Sequence, residues 1–334
     1  MTVYENDELP ERGSLVEHLS FLVQVAARAP SAHNVQPWVC RLVQDTLTVE
    51  RDDVYALKDG DPTRRETVLS LAIFIETLVI AGARWGIDVR VKPVATVPDE
   101  AGVASLSFHK RAPAVDESTY RAIWHRHTNR GPYEDMSLPS WLTSSSQLLE
   151  GAEARAFVID DSAAKARIGT LVNNGMATAL KLSSMRRELA NLTYWSGDRV
   201  DTGMALEALI SGASRNGLPA HEWFLANVDP DREASRLAAV FAASPVLLVI
   251  ATEADDPTAW LDAGRVACRL MLRAAREGFT HDISAAPVEI PTLSPLLAQE
   301  IDSGWRPQML MRVGTPTEPG LTLPSVRRSI TFLP

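Results

Sequence analysis

Cysteine is nearly missing from this chain of 334 residues. Cys40 and Cys268 stand far apart and outside any CxxC, so neither a disulfide framework nor a cysteine zinc site is expected, and two buried thiols are the plain reading. Basic residues are in deficit: 33 Lys and Arg against 42 Asp and Glu give a net charge of -9. A nucleic-acid partner is therefore not expected, and any positive site has to be local. No G-x-G-x-x-G and no G-x-x-x-x-G-K-[ST] occurs, which leaves a Rossmann dinucleotide site and a P-loop unsupported. The first residues, MTVYENDELPERGSLVEH, lack a basic segment followed by an apolar one and do not read as a secretory signal, so the expected location is cytoplasmic. A long apolar run is missing as well. The nearest thing to one, VLSLAIFIETLVIAGA at 68–83, is short for a membrane span and carries Glu76 in its middle; it reads as a core helix, and no membrane partner is expected.

What is present is a mixture of both secondary-structure periods in a chain that is 46% hydrophobic and able to bury a large core. Residues 14–29 place Leu15, Leu19, Leu22, Val23 and Ala26 at helical spacing, with Ser14 as N-cap and Pro30 as stop. WVCRLVQ and TLTVERD, divided at Gln44 and Asp45, read as a hairpin. A long helix is expected at about 64–86, strands at VRVKPVATV and VASLSFHK, and a helix at 117–126. Beyond these come a strand at ARAFVI (154–159), a helix over 161–190, a buried strand at PVLLVIAT (245–252), a helix at 258–278, and a last strand in PQMLMRVG.

With Gly86 set against Gly278, the two long helices align and share a small-residue face: Ala72, Ala81, Gly82 and Ala83 on one, Ala263, Gly264, Ala267, Ala274 and Ala275 on the other. Such faces allow two helices to pack closely, and each helix has strands beside it, so an α+β unit used twice is the expected architecture. Residues 186–235 separate a helix from the next strand by far more chain than such connections use, and carry Tyr194, Trp195, Trp223 and Phe224. A lid is expected there, hinged at Gly203, Gly212 and Gly217, with pair-wise surface helices as the plain alternative.

Three segments carry chemistry: Ala29-Pro30-Ser31-Ala32-His33-Asn34-Val35-Gln36-Pro37-Trp38, Arg126-His127-Thr128-Asn129-Arg130-Gly131-Pro132-Tyr133, and Arg327-Arg328. Each alone has an ordinary reading, as a Pro-bounded loop with a core Trp, a solvated helix end, and a surface pair. His125 and His127 form an HxH pair with His33 as the candidate third ligand, but no Asp or Glu stands beside them in a recognised ligand spacing and no metal is expected.

Taken together and in this order, the segments resemble the nitroreductase-like flavoproteins, and more closely their fused, Acg-type mycobacterial branch. Further matching features are DPTRRE, DAG…LMLRAAREGF and P-Q-M-L-M-R-V-G. The resemblance implies two tandem halves, 1–115 and 116–334, each with a mainly antiparallel sheet packed on helices, forming an internal pseudo-dimer. It implies one non-covalent FMN per chain between the halves, because the PSxxNxQPW loop and the basic segment each occur once. An FMN phosphate is a dianion suited to planar guanidiniums; Arg126, Arg327 and Arg328 fit that role, with Thr128 where the family has Ser and Arg28 anchoring the loop. Arg130 resembles the cation that faces the N1/O2 edge of the flavin, and Ser31, Asn34 and Gln36 offer polar groups to the ring, with Pro37 and Trp38 completing the loop. The family's Gly-containing segment near N5 corresponds here to Ile283–Val288, around Ala285, which has no glycine.

The implied function is an FMN-dependent oxidoreductase using NAD(P)H and a small electron-poor substrate, with no side chain as general acid or base, in a monomer whose dimer interface is internal. The alternative is a flavin-sequestering protein whose lid-covered site turns over little.

Overall fold

The computed structural model describes residues 7–94, 101–143, 153–301, 304–317, 325–330 and 332–333. Ser14 opens the first helix as its spacing predicts. Its Oγ accepts the Glu17 amide while the Glu17 carboxylate takes the Ser14 amide, a reciprocal cap for α1 (Leu15–Ala26). The hairpin follows as β1 (Trp38–Val43) and β2 (Thr46–Arg51). Next come α2 (Arg65–Arg84), β3 (Ile87–Pro93) and β4 (Gly102–Lys110); the end of the expected VRVKPVATV strand lies outside the described residues. Helices α3 (Glu117–His125) and α4 (Ser140–Thr143) lead to β5 (Ala154–Ile159).

The helix expected over 161–190 is broken into α5 (Ser162–Lys181) and α6 (Ser183–Asn191) at Leu182, whose ψ of 112° leaves the helical region. No Gly or Pro marks that break; α6 turns to dock on the loop before α2, a tertiary preference that sequence spacing does not encode. The 192–229 stretch holds β6 (Thr193–Tyr194), β7 (Met204–Ala205), α7 (Leu206–Leu209) and α8 (Ala220–Asn227). After it run α9 (Pro230–Ala242), β8 (Val246–Thr252) and α10 (Pro257–Arg276). The chain finishes with β9 (Thr280–Ser284), α11 (Ala286–Glu289), α12 (Ser294–Ala298), β10 (Arg306–Gly314) and β11 (Phe332–Leu333).

The architecture is α+β with two main sheets. One has the order β11-β1-β2-β4-β3 and is antiparallel except that β11 joins β1 in parallel; the other, β5-β8-β10-β9, is antiparallel throughout. The final residues of the chain thus pair with the first strand, which carries the tail back to the 29–38 loop. Strand β9 escapes sequence reading because THDIS is polar, yet four of its five residues are buried, its Asp282 paired with the fully buried Arg312.

Helices α2 and α10 pack on each other in one continuous core. At Gly264 the approach is so close that an added Cβ would lie 2.5 Å from Ala72 Cβ and 2.6 Å from the Leu69 carbonyl, so only glycine fits. The small face expected on α2 is only partly used in this way: Gly82 instead makes room for β3, where a Cβ would meet Val89 at 2.7 Å. Helix α2 is long and apolar enough to cross a membrane, but it is buried within the protein. Its Glu76, 1% exposed, receives Arg265 Nε at 2.7 Å and Arg269 Nε at 2.6 Å from α10, so both carboxylate oxygens are neutralised. Substituting Gly264→Val should lower unfolding free energy by at least about 2 kcal/mol, as overpacking at a backbone contact does. Urea denaturation measures it, and an unchanged midpoint would contradict the close crossing.

Candidate functional site

The loop that follows α1 has the least ordinary backbone in the molecule. His33, Asn34 and Gln36 all adopt left-handed φ, at 47°, 56° and 53°. Three such non-glycine residues in four positions persist only where surrounding contacts over-determine them. Those contacts are visible. Ser31 Oγ accepts the Gln36 amide at 2.9 Å, while Asn34 Nδ2 donates to the carbonyls of Gly203 (3.0 Å) and Val326 (3.1 Å). Gln36, fully buried, donates from Nε2 to the Asp201 carbonyl at 2.7 Å and accepts the Arg328 amide on Oε1 at 2.9 Å. The Asn34 and Gln36 amides expected to face a ring are therefore engaged with the 201–203 stretch and the tail. Pro37 and Trp38 also serve the frame: the Pro37 carbonyl accepts the Asp52 amide, and Trp38, 1% exposed, stacks on Phe74 with centroids 4.9 Å apart.

The basic segment docks on β9. Thr128 bridges to His281, and the Asn129 amide donates to the His281 carbonyl at 2.9 Å. Arg312, fully buried, donates to Asp282 Oδ2 at 3.1 Å and to the Asn129 carbonyl at 3.0 Å, with its guanidinium 4.2 Å from the Tyr133 ring centroid. This buried pair fixes the segment so that Thr128 and Arg130 face inward.

They face a cavity of about 270 Å³. Pro30, Ser31 and His33 form one side, Thr128 and Arg130 another, and Ser284, Ala285 and Ala286 a third. The 284–288 segment lacks glycine, and its close approach is supplied from the facing helix: at Gly175 of α5 an added Cβ would lie 2.8 Å from Ala286 Cβ. Ser284 Oγ is buried with no partner among the described residues and belongs to the cavity wall. Sequence reasoning missed Ser284, Glu66 and Glu289. The last two also line the cavity, Arg65 binding Glu289 at 2.5 Å and Glu66 at 3.4 Å; burial first, then Glu289, raises the Glu66 carboxyl well above the usual range. Nothing periodic marks them, since they meet only through the packing of α2 against α11.

Arg28, Arg126 and Arg327 converge beside this cavity. A recess lined by Arg28, Arg126 and Cys268 shares Pro30 and Ile73 with the larger wall. Arg126 has neither an acceptor nor a carboxylate partner among the described residues, and its Nη1 is buried. Burial pushes its pKa down to about 10, with Arg28 adding to the effect. Arg327 is pushed down to about 9 by burial, then by Arg126 and Arg28, while its Nη groups donate to Asn34 Oδ1 (2.9 Å) and the Arg28 carbonyl (3.1 Å). Both stay cationic at neutral pH, so like charges are held close together, and among the described residues no carboxylate pairs with Arg126 or Arg327. Arg328 is directed away from them, donating to Asp52 Oδ2 at 3.2 Å and lying 3.7 Å from the Tyr55 ring centroid.

Three of the four aromatic residues of the 186–235 stretch pack with one another. Trp195 and Phe224 are buried in a separate apolar cluster with Leu206, and Trp195 meets Trp223 edge-on at 5.8 Å. Besides Glu188 and Glu233, this stretch presents flexible aliphatic side chains to the cavity: Leu189, Met204 and Leu209, with Met185 just before it.

No family model matches the chain. Two Mycobacterium tuberculosis (strain H37Rv) proteins sharing the name "Putative NAD(P)H nitroreductase" are similar over nearly its whole length. One is 28% identical over 319 residues, covering 94% of this chain and 90% of its own, and the other, Acg, is 25% identical over 315 residues, covering 93% and 92%. The resemblance carried by the motifs is thus found along nearly the full sequence. Among solved structures, a Bacteroides fragilis nitroreductase with bound FMN aligns over 65% of this chain and 98% of its own, at 11% identity and TM-score 0.39. An iodotyrosine deiodinase bound to FMN and 3-iodo-L-tyrosine aligns over 62% and 94%, at 15% identity and TM-score 0.41.

His33 supplies a pH test of the loop. Burial, then Arg130, pushes its pKa from 6.5 down to about 4, with Glu188 opposing. Between those values the unfolded chain binds more protons at this position than the folded one, so its contribution to stability is full above 6.5 and is lost as pH falls toward 4. Asn accepts left-handed φ, and His33→Asn is expected to flatten this part of the acid limb when denaturation midpoints at about pH 7 and about pH 4.5 are compared. An identical acid limb in the variant would mean that His33 titrates normally.

Proposed function

We propose that the chain is an FMN-dependent oxidoreductase of the NAD(P)H nitroreductase type, with one FMN per chain held between two nitroreductase-like halves, 1–115 and 116–334. The observation that carries this reading is the convergence of Arg28, Arg126 and Arg327 next to a cavity lined by Thr128, Arg130 and Ser31, with no carboxylate among the described residues paired to Arg126 or Arg327. A phosphate there exchanges guanidinium repulsion for charge-assisted hydrogen bonds worth roughly 1.5–3 kcal/mol each. Arg126 Nη1 and Arg327 Nε, buried and without acceptors, are the atoms that await it. The fit of the donors to a dianion is thus good, and the relatives' shared name supports the same reading.

When bound, FMN supplies hydride and electron transfer; the protein supplies position, charge and exclusion of water. Arg130 brings a cation to the cavity, matched to negative charge gained on flavin reduction. Ser284 brings a free hydroxyl beside Ala285, and the aliphatic wall keeps the slot dry. A reduced nicotinamide and then a small electron-poor acceptor would use the same slot in turn.

If this is right, heat release yields one FMN per chain, and Arg126→Met weakens FMN binding at least tenfold, equivalent to about 1.4 kcal/mol. The same change should leave the cofactor-free protein as stable as before or more so, because Arg126 has no partner to lose. Two flavins per chain, or unaltered FMN affinity in the variant, would refute the site.

One observation favours the second reading, a flavin store with a covered site. The 186–235 stretch walls the cavity and is tied to the 29–38 loop through Asn34 and Gln36. We read it as a lid of the second half. In that case NADPH bleaches the bound flavin slowly while dithionite bleaches it readily, and replacing residues 186–235 by a Gly-Ser linker speeds the NADPH reaction. Fast stopped-flow reduction of the intact protein would set the lid aside and leave an open enzyme.

A further inference from the structure

Glu188, half-buried on α6, reaches across to the loop before α2 and accepts three successive backbone amides: Lys58 at 2.7 Å and Asp59 at 3.0 Å on Oε2, and Gly60 at 2.8 Å on Oε1. Three consecutive N–H groups converging on one anion form a nest, the arrangement by which backbones hold phosphates. Gly60 permits it: a Cβ there would lie 2.9 Å from Glu188 Oε1. The position of the contact matters as much as its geometry. Leu57, Gly60 and Glu188 line the 270 Å³ cavity, while Lys58, Arg187 and Glu188 line an adjoining recess of about 380 Å³ on the other side. Glu188 is thus the partition between the two spaces, and Lys58 and Arg187 bring cations to the outer one against Asp59.

We propose that residues 58–60 are a phosphate-binding nest plugged by Glu188, and that a phosphate-bearing ligand with a flat head takes the nest when α6 lifts, with its head in the cavity and the rest in the outer recess. That this ligand is the dinucleotide reductant rests on the function proposed above; the nest itself does not. A carboxylate that is covalently part of the protein competes at high effective concentration, so the nest is masked in the closed form.

Isothermal titration of inorganic pyrophosphate into the purified full chain tests the nest without any turnover. Glu188→Ala should bind pyrophosphate at least tenfold more tightly than the native chain. Adding Gly60→Ala, which puts a methyl group where the anion oxygen sits, should remove most of that gain, whereas adding Arg126→Met should leave it. Equal affinity in the native chain and Glu188→Ala overturns the proposal. So does a gain abolished by Arg126→Met and kept with Gly60→Ala, which would place the anion in the arginine trio. Should Glu188→Ala not fold, Glu188→Gln, which keeps the hydrogen-bond acceptor but not the charge, is read the same way. A flavin-free protein that shows the predicted pattern would retain the nest and lose only the reductant.

Discussion

Like charges held together in a partly buried place are unfavourable, and the site depends on one such constraint. Arg28 follows α1, Arg126 follows α3, and Arg327 lies in the tail, yet all three come together near Pro30. The fold has to hold them against mutual repulsion. It does so with hydrogen bonds to neutral groups, such as Arg327 on Asn34 Oδ1 and on the Arg28 carbonyl, and among the described residues no carboxylate pairs with Arg126 or Arg327. Where a carboxylate is available, as Asp52 is to Arg328, that cation leaves the group. The division of two adjacent arginines between an ion pair and the cluster is what fits the cluster to the proposed phosphate rather than to an ordinary salt-bridge network.

The strained loop between Pro30 and Trp38 follows from the same requirement. Its left-handed residues turn the Asn34 and Gln36 amides onto the tail and onto residues 201–203, so the loop ties three distant parts of the chain into one wall. Asn34 and Gln36 thus order the site's neighbours, while Ser31 lines the cavity itself. The tail, continued as β11 on β1, and the 186–235 stretch are both secured at that wall.

Much of the architecture was legible because it is periodic. The Ser14 cap, the hairpin at Gln44, the two long helices and the wholly apolar β8 follow from spacing and composition, and the small face of α10 foretold the close crossing at Gly264. What was not legible is what only packing decides. The break at Leu182 has no Gly or Pro, β9 hides behind polar residues satisfied by Arg312, and Trp195 and Phe224 pack among themselves instead of facing the cavity. In the site, the motifs gave the basic segment and the loop; Glu66, Glu289 and Ser284 are isolated letters in the sequence and become a wall only through the contact of α2 with α11 and the end of β9.

The position of Glu188 connects these points. α6 exists as a separate helix because the chain bends at Leu182, and the bend is what lets Glu188 reach residues 58–60. Without the bend α5 would run on straight and the partition between cavity and recess would have no carboxylate to close it. A feature that reads as a lost turn of helix is thus what places a carboxylate between the cavity and the outer recess. That contact uses backbone donors on one side, which side-chain substitutions at Lys58 and Asp59 leave in place, and a single carboxylate on the other. That asymmetry means that in the proposed plugged nest one side chain of the 186–235 stretch occupies the anion position, while the donors beneath it belong to the backbone and serve whichever anion occupies it.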